Sequence, residues 1–187
     1  PNIELSKVGK QISEVISSYG FKPISNLTGH GLEKYNLHSG LSVPNIVDML
    51  NRSKTKLDNV IAVEPFATDG AGHVIAGKGS NIFICQDSVR SKFVRDKKYK
   101  LTYNKIKKQF NTLPFAQRWT DSIIKDTNLV LRKLTFLGLL KHFPQLIEQK
   151  HGIVTQKEHT LIITEDGCEV TTWKKRKKTP KLLNLKN

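Results

Sequence analysis

Residues 58–66 read Asp-Asn-Val-Ile-Ala-Val-Glu-Pro-Phe, an apolar segment that contains a single carboxylate near its end, Glu64. Carboxylates are rarely buried unless they are paired or bound to a metal. The alternative is an exposed Glu64 on an edge strand, but alternation along an extended chain puts it on the same face as Val60 and Ala62. The segment therefore predicts a buried strand that carries a functional carboxylate.

Two further segments contain residues able to bind a metal. Residues 26–31 read Asn-Leu-Thr-Gly-His-Gly, and a second histidine, His38, follows eight residues after His30. Glycine on both sides of His30 lets a metal or substrate approach the backbone closely. Residues 154–163 lead from another carboxylate, Glu158, into an apolar strand. One histidine and two glutamates form a ligand set suited to Mn, Fe, Co or Zn, although each residue taken alone is more often a core or surface side chain.

The remaining pattern predicts an α+β fold with an antiparallel sheet. Apolar residues at helical spacing over residues 3–19, followed by Gly20, predict an amphipathic helix. Short β-prone segments predict the sheet, and residues 165–167 predict a hairpin turn. The predicted strands cover residues 22–27, 60–66, 160–164 and 169–173, and three further predicted helices cover residues 104–110, 115–124 and 129–140.

The positive charge is concentrated in two segments. The whole chain of 187 residues has a formal net charge of +15. Residues 84–150 hold fifteen Lys or Arg and five Asp or Glu, and residues 174–187 hold seven basic and no acidic residues. Such segments favour a nucleic-acid partner, with a solvated lysine-rich surface as the alternative. For the tail, that alternative is at least as good an explanation.

Composition excludes several classes of protein. No apolar run approaches the roughly 18 residues that a membrane span needs. The first fifteen residues lack the apolar core of a secretory signal. The two cysteines, Cys85 and Cys168, lie far apart and neither belongs to a C-x-x-C pair, which argues against a disulfide framework or a zinc ribbon. We therefore expect a cytoplasmic protein with no membrane contact.

In combination, these segments resemble the methionine aminopeptidases of the pita-bread fold. The resemblance covers residues 2–172 and rests on Gly-His-Gly, the second histidine, Ile-Ala-Val-Glu-Pro-Phe and Gln-Lys-Glu-His-Thr in that order. Leu-His-Ser-Gly at residues 37–40, the 94 residues from Glu64 to Glu158, and Thr-Leu-Pro-Phe-Ala-Gln-Arg-Trp at residues 112–119 match type II. Type II enzymes carry a winged-helix-like insert.

The resemblance implies that the chain is the second half of a pita-bread fold, interrupted by a helical, winged-helix-like insert. The half-domain would begin with residues 1–83 and close with a hairpin at residues 151–173. The insert would span residues 84–150, and a basic tail would span residues 174–187.

The resemblance also implies roles for individual residues. His30, Glu64 and Glu158 would bind two divalent metal ions, and Glu64 would also relay a proton. His38 would bind the substrate and stabilise the tetrahedral intermediate without binding metal. The metals would activate a water molecule for attack on the first peptide carbonyl. The substrate methionine would lie against three apolar side chains, Leu37, Phe143 and Leu146.

The family's dinuclear site also needs two aspartates from the preceding half of the fold. Residues 1–29 contain neither Asp nor His. We therefore expect a companion chain or segment to supply the N-terminal half with these aspartates. On this hypothesis the chain removes the initiator methionine from nascent proteins only when combined with that half.

Two alternative functions remain. One is a catalytically inactive pita-bread relative that binds ribosomal RNA through the basic insert and tail, although the intact His30, His38, Glu64 and Glu158 count against it. The other is a proline-specific aminopeptidase of the same fold, which is disfavoured by the long insert and by Ser39 directly after His38. Contact with the ribosome is also compatible with a peptidase that acts on nascent chains.

Overall fold

The computed structural model describes residues 1–86 and 92–173. Within these residues it contains three α-helices, a short 3-10 helix after β7 and eleven strands. The helices are α1 (Leu5–Ser18), α2 (Lys97–Phe110) and α3 (Thr127–Phe136), and the 3-10 helix is Gln117–Thr120. The strands are β1 (Lys22–Pro23), β2 (Thr28–Gly31), β3 (Ser42–Pro44), β4 (Val60–Val63), β5 (Phe66–Thr68), β6 (Val74–Cys85), β7 (Phe115–Ala116), β8 (Leu140–Glu148), β9 (Val154–Gln156), β10 (His159–Ile163) and β11 (Cys168–Val170).

The main sheet has five antiparallel strands in the order β11-β10-β4-β2-β3. Its buried cluster consists of Leu5 from α1 together with Val43, Ile61 and Ile163 from the strands. Helix α1 packs closely on the end of β3, because Gly9 has no side chain to strike the backbone carbonyl of Ile46. The α+β class and the antiparallel sheet predicted from the sequence are therefore confirmed.

Helix α1 matches its prediction. It covers most of the predicted range 3–19, and Gly20 follows it with a φ of +79°, a conformation that glycine adopts at little cost. The predicted closing hairpin is also present, with Leu161 of β10 opposite Val170 of β11. A separate three-stranded sheet has the order β1-β5-β9. In the sequence, β1 follows α1, β5 follows β4 and β9 precedes β10.

Residues 74–148, called the insert below, are built on the long antiparallel pair of β6 and β8, which runs from Val74 opposite Glu148 to Cys85 opposite Leu140. The predicted boundary between residues 83 and 84 falls inside β6. Helices α2 and α3 contribute Tyr103, Ile106, Val130, Leu131 and Leu134 to a core with Phe83, Phe115, Leu139 and Leu140. The insert therefore has a hydrophobic core separate from that of the main sheet.

Two predicted helices of the insert differ from the structure. The predicted helix over residues 115–124 is instead the short strand β7 and the 3-10 helix, because Phe115 pairs with Phe83 of β6 and is buried there. Helix α2 begins at Lys97 rather than near residue 104, since the Asp96 carboxylate caps it by accepting from the N–H groups of Lys98 and Tyr99. The lysines in its first two turns interrupt the apolar spacing from which a helix is predicted.

The ends of one further predicted helix and of one predicted strand also differ from the structure. Helix α3 ends at Phe136, and Gly138 has a φ of +69°, so residue 140 begins a strand rather than ending a helix. The predicted strand over residues 60–66 is divided, because Glu64 and Pro65 lie between β4 and β5. Pro65 has no N–H to donate to a neighbouring strand.

Glu148, the last residue of β8, joins the connection that precedes β6 to the connection that follows β8. Its side chain is 3% exposed. One oxygen accepts hydrogen bonds from the N–H groups of Ala71 and Gly72, the latter at 3.1 Å. The other accepts from Lys150 at 2.7 Å and Gly152 at 3.0 Å. Burial by itself raises the pKa of Glu148, but the four N–H groups outweigh burial and hold the pKa below its ordinary value.

None of the helices among the described residues is long and apolar enough to cross a membrane. The predicted basic tail, residues 174–187, lies outside the described part of the chain.

Candidate metal centre

His30 and Glu64 come into direct contact where β2 and β4 of the main sheet lie side by side. His30 lies in β2 opposite Ala62 of β4, and Glu64 is the first residue after β4, two positions beyond Ala62. The Nε2 atom of His30 is 3.2 Å from Oε1 of Glu64, and the two side chains are only 12% and 13% exposed. The sheet register therefore brings two motifs that are distant in the sequence together as one largely buried pair.

The other ring nitrogen of His30 restricts what can lie between the pair. Nδ1 is 3.2 Å from the carbonyl oxygen of Gly31. Because a carbonyl only accepts, this contact requires the proton on Nδ1. With that proton on Nδ1, the contact between Nε2 and Oε1 of Glu64 needs a second proton or a cation between the two atoms. A backbone acceptor on the second nitrogen is the arrangement that commonly orients a metal-binding histidine.

Glu158 lies directly before β10 and is connected to Glu64 through Gln156. The side-chain N–H groups of Gln156 donate to Oε2 of Glu64 at 2.9 Å and to Oε2 of Glu158 at 3.3 Å. The amide thus lies between the two carboxylates. Sequence reasoning did not single out Gln156 as a site residue. The available signal was its position two residues before Glu158, since such residues share a face when the chain is extended.

The environment of Glu64 favours its protonated form. Burial and then the negative charge of Glu158 raise the pKa of Glu64 above its ordinary value. The charge of His30 and the hydrogen bond from Gln156 act in the opposite direction but are outweighed. A carboxyl group in this situation exchanges protons more readily near neutral pH than an exposed glutamate does.

His38 lies in the loop between β2 and β3 and contacts His30, with ring centroids 4.4 Å apart. Burial, followed by the charges of His30 and Lys141, lowers the pKa of His38. The ring is therefore mainly neutral at pH 7, and it can donate a hydrogen bond from one nitrogen without carrying charge.

The insert reaches the loop that carries His38. The hydroxyl of Thr112, in the connection after α2, donates to the carbonyl oxygen of Tyr35. Among the predicted pocket residues, Leu37 is half-buried beside His38, while Phe143 and Leu146 are on β8. Leu146 is 55% exposed. Their predicted role in binding methionine stays a prediction.

The donor set fits a divalent metal in part. The geometry of His30 and Glu64 suits a cation between them, and the imidazole and carboxylates are ligands that Mn, Fe, Co and Zn accept. Within residues 1–86 and 92–173, however, no three His, Cys, Asp or Glu side chains come close enough together to hold a metal ion. Glu158 is separated from the pair by the Gln156 amide. The assignment of His30, Glu64 and Glu158 as metal ligands therefore stays a prediction.

Solved structures define the class of fold. The chain is similar to a thermophilic Arx1, with a TM-score of 0.72, 15% identity, and coverage of 92% of this chain and 47% of the other. It is also similar to the methionine aminopeptidase of Rickettsia prowazekii, with a TM-score of 0.52, 15% identity, and coverage of 91% and 43%. The chain has the pita-bread fold of the methionine aminopeptidases.

Sequence relatives give the family. The chain is 40% identical over 172 residues to a methionine aminopeptidase of Thermococcus onnurineus and 40% identical over 176 residues to that of Methanocaldococcus jannaschii. These matches cover 91% and 92% of this chain and 57% of each relative. The chain belongs to the methionine aminopeptidase family and spans a little over half the length of these relatives. No protein-family model matches it.

Proposed function

We propose that this chain is the second half of a metal-dependent methionine aminopeptidase, which removes the initiator methionine from nascent proteins. The observation that carries the proposal is the contact between His30 and Glu64, with Glu158 joined to the same site through Gln156. His30 lies in β2, and Glu64 directly follows β4. Gln156 is the last residue of β9, and Glu158 directly precedes β10. The identity to methionine aminopeptidases supports the same reaction.

Each residue has a task in this reaction. His30, Glu64 and Glu158 would hold two divalent metal ions, which supply an activated water molecule and polarise the substrate carbonyl when bound. Glu64, whose pKa is raised, would take a proton from that water and pass it to the leaving amine. His38, whose pKa is lowered, would donate a hydrogen bond to the substrate from its neutral ring.

A companion N-terminal half is part of the proposal. The chain matches only 57% of its relatives' length. The described residues bring one His and one Glu into direct contact but provide no group of three ligands. Two additional aspartates would convert this corner into a dinuclear site, since carboxylates can bridge two ions about 3.5–4 Å apart.

The test is to combine the chain with the N-terminal portion of the Thermococcus onnurineus relative that it does not match. Association is verified first by native mass spectrometry, and a single fused chain replaces the mixture if the parts do not associate. Methionine release from a Met-Ala-Ser peptide is then measured with Mn²⁺ or Co²⁺ added. We expect release from the combined halves and none from the chain alone.

Variants at the proposed site give the control. Glu64→Gln should reduce the rate at least about 100-fold, the usual contribution of a general acid–base group. His38→Ala should reduce it by a similar factor, about 100-fold, as the loss of one hydrogen-bond donor to the reacting carbonyl does. Release by the isolated chain would contradict the need for a companion half. If a correctly associated or fused enzyme releases no methionine with any divalent ion, the peptidase proposal is wrong.

A further inference from the structure

His38 lies in a loop whose tip has a restricted backbone. The loop connects β2 to β3 and covers residues 32–41. At its tip, Glu33 and Asn36 exchange two backbone hydrogen bonds, each 3.0 Å long. Tyr35, between them, has a φ of +59°. A bulky residue is disfavoured in this left-handed region and remains there only where the surrounding structure holds it. The conformation of the tip therefore depends on the contacts that hold the Tyr35 peptide.

One of these contacts comes from the insert. The Thr112 hydroxyl donates to the carbonyl oxygen of Tyr35, seventy-seven positions away in the chain. This carbonyl belongs to the peptide directly after the left-handed residue, so the hydrogen bond restrains the backbone that continues to Leu37 and His38. The threonine side chain is itself restricted, because its branched Cβ limits rotation about χ1. Thr112 therefore holds the loop tip with a hydroxyl of limited freedom.

Thr112 is in turn anchored by the core of the insert. It lies in the short connection between α2 and β7, residues 111–114. Phe110, the last residue of α2, stacks on Phe115 of β7 with ring centroids 4.6 Å apart, and Phe115 is 1% exposed. The N–H of Leu113 donates to the carbonyl oxygen of Phe110 at 3.0 Å. Packed rings therefore close the connection at both ends, so the position of the Thr112 hydroxyl follows that of the core.

The insert approaches the loop at a second point. Lys141 of β8 lies close enough to His38 for its charge to contribute to the lowered pKa of that ring. Its ammonium group is 5.1 Å from the ring centroid of Phe143. Strand β8 belongs to the same core as Phe115, through Leu140. Two parts of one packed unit, the connection after α2 and the start of β8, therefore lie near the loop that carries His38.

We propose that Thr112 is a positioning residue, which fixes the loop carrying His38 beside the candidate metal centre by holding the loop tip. The centroids of the His38 and His30 rings are only 4.4 Å apart, so a movement of the loop would change the distance between His38 and a substrate bound there. The restraint on the loop is a property of this chain alone. Its consequence for methionine release rests on the proposed function.

The alternative is that the Thr112 hydroxyl only stabilises the insert itself. Its acceptor argues against this, because Tyr35 lies in the half-domain and not in the insert. Loss of the hydroxyl should therefore loosen the loop and leave the stability of the insert nearly unchanged. This difference separates a positioning role from a general contribution to folding.

The first experiment measures amide hydrogen exchange by NMR in the isolated chain. The reporters are the N–H groups of Asn36 and Ser39, each of which donates to a backbone carbonyl of β2 or the loop. Thr112→Val removes the hydroxyl and keeps the branched shape. Exchange at both reporters should become at least about five-fold faster, as the loss of one ordinary hydrogen bond allows. Circular dichroism and urea midpoints verify that the variant is folded.

Two further variants separate the hydroxyl from other effects. Thr112→Ser keeps the donor and loses only the restriction on χ1, so both reporters should exchange within about two-fold of the unmodified chain. Thr102→Val is the matched control. Its hydroxyl also donates to a backbone carbonyl, that of Lys98 at 2.9 Å, but this acceptor lies in the same helix α2. The control should leave both reporters unchanged.

The second experiment measures methionine release by the chain combined with, or fused to, the missing N-terminal portion. Thr112→Val should raise KM for a Met-Ala-Ser peptide at least about five-fold, because the loop that contacts the substrate is no longer held. A variant that is merely less stable would contain less active enzyme, which lowers kcat and leaves KM unchanged. Thr112→Ser should restore KM. Affinity for Co²⁺, measured by isothermal titration, should stay within about two-fold, since Thr112 contacts none of the proposed ligands.

The proposal is overturned if exchange at the two reporters is unchanged in Thr112→Val, if Thr102→Val accelerates it equally, or if Thr112→Ser fails to restore it. An unchanged KM in Thr112→Val would equally overturn the role in substrate binding. If the fused enzyme releases no methionine, the proposed function is wrong, and the exchange rates of the isolated chain still decide whether Thr112 holds the loop.

Discussion

His30 Nε2 lies 3.2 Å from Glu64 Oε1, although the two residues are separated by thirty-three intervening positions in the chain. The contact depends on the antiparallel pairing of β2 with β4, which sets His30 opposite Ala62. A shift of this register by one residue would turn one of the two side chains to the other face of the sheet. Sheet pairing therefore controls the chemistry of the site.

The contact predicts that the isolated chain binds a single divalent ion weakly. His30→Ala and Glu64→Gln should each lower the affinity for Co²⁺ at least about ten-fold, since loss of a ligand should cost no less than the loss of an outer-shell partner. Isothermal titration with Co²⁺ measures this. His151→Asn is the matched control, because Asn tolerates the positive φ of 59° at that position. An equal loss in the control would contradict the assignment.

Gly29 is predicted to be essential for this geometry. A Cβ at this position would strike the carbonyl oxygen of Ala62 and lie 3.2 Å from Cβ of Val43. Gly29→Ala should therefore lower the free energy of unfolding by at least about 2 kcal/mol, because strand β2 would have to separate from β4. Urea unfolding checks the value. Gly167→Ala, at a hairpin position with open space around it, should have little effect.

Gln156 is predicted to stabilise the metal-free site. Its amide donates to both Glu64 and Glu158, so Gln156→Ala leaves two neighbouring carboxylates without that donor. The free energy of unfolding should fall by about 1 kcal/mol without metal. The loss should become smaller when Co²⁺ is present, because a cation between the carboxylates takes over the same role. Paired urea titrations measure the difference, and a larger loss with Co²⁺ would contradict this account.

Glu148 is predicted to make the stability of the folded chain depend on pH in the acid range. Its pKa is lowered in the folded chain, so its contribution is complete above the unfolded value of about 4.3 and is lost as pH falls through the lower, folded pKa. Glu148→Gln should lower the melting temperature at pH 7, and the difference from the unmodified chain should narrow in acid. Thermal scans between pH 7 and pH 3 test this prediction.

The matched control for Glu148 is Glu165→Gln, at an exposed position in the β10–β11 hairpin. It should leave the melting temperature nearly unchanged at both ends of the pH range. If the difference in melting temperature between Glu148→Gln and the unmodified chain stays constant with pH, the side chain stabilises the fold by its packing and not by its charge.

Local patterns were sufficient for α1, the closing hairpin and the strand before Glu64, since each is determined by spacing, a turn or an apolar run. The insert was harder to predict. Its residues 115–124 have no local feature that distinguishes a helix from the strand that pairs with β6, and only the burial of Phe115 in that sheet decides. The lysines of α2 similarly hid a helix whose start depends on the Asp96 cap.

The sequence alone determined the class of fold, the resemblance to methionine aminopeptidases and the residue types near the candidate metal centre, because these follow from local patterns and ordered motifs. The tertiary structure decided which side chains meet. It brought His30 against Glu64, placed the Gln156 amide between two carboxylates and buried Glu148 among four backbone donors. These contacts join residues far apart in the chain, so they depend on strand register and long-range packing that no local pattern specifies.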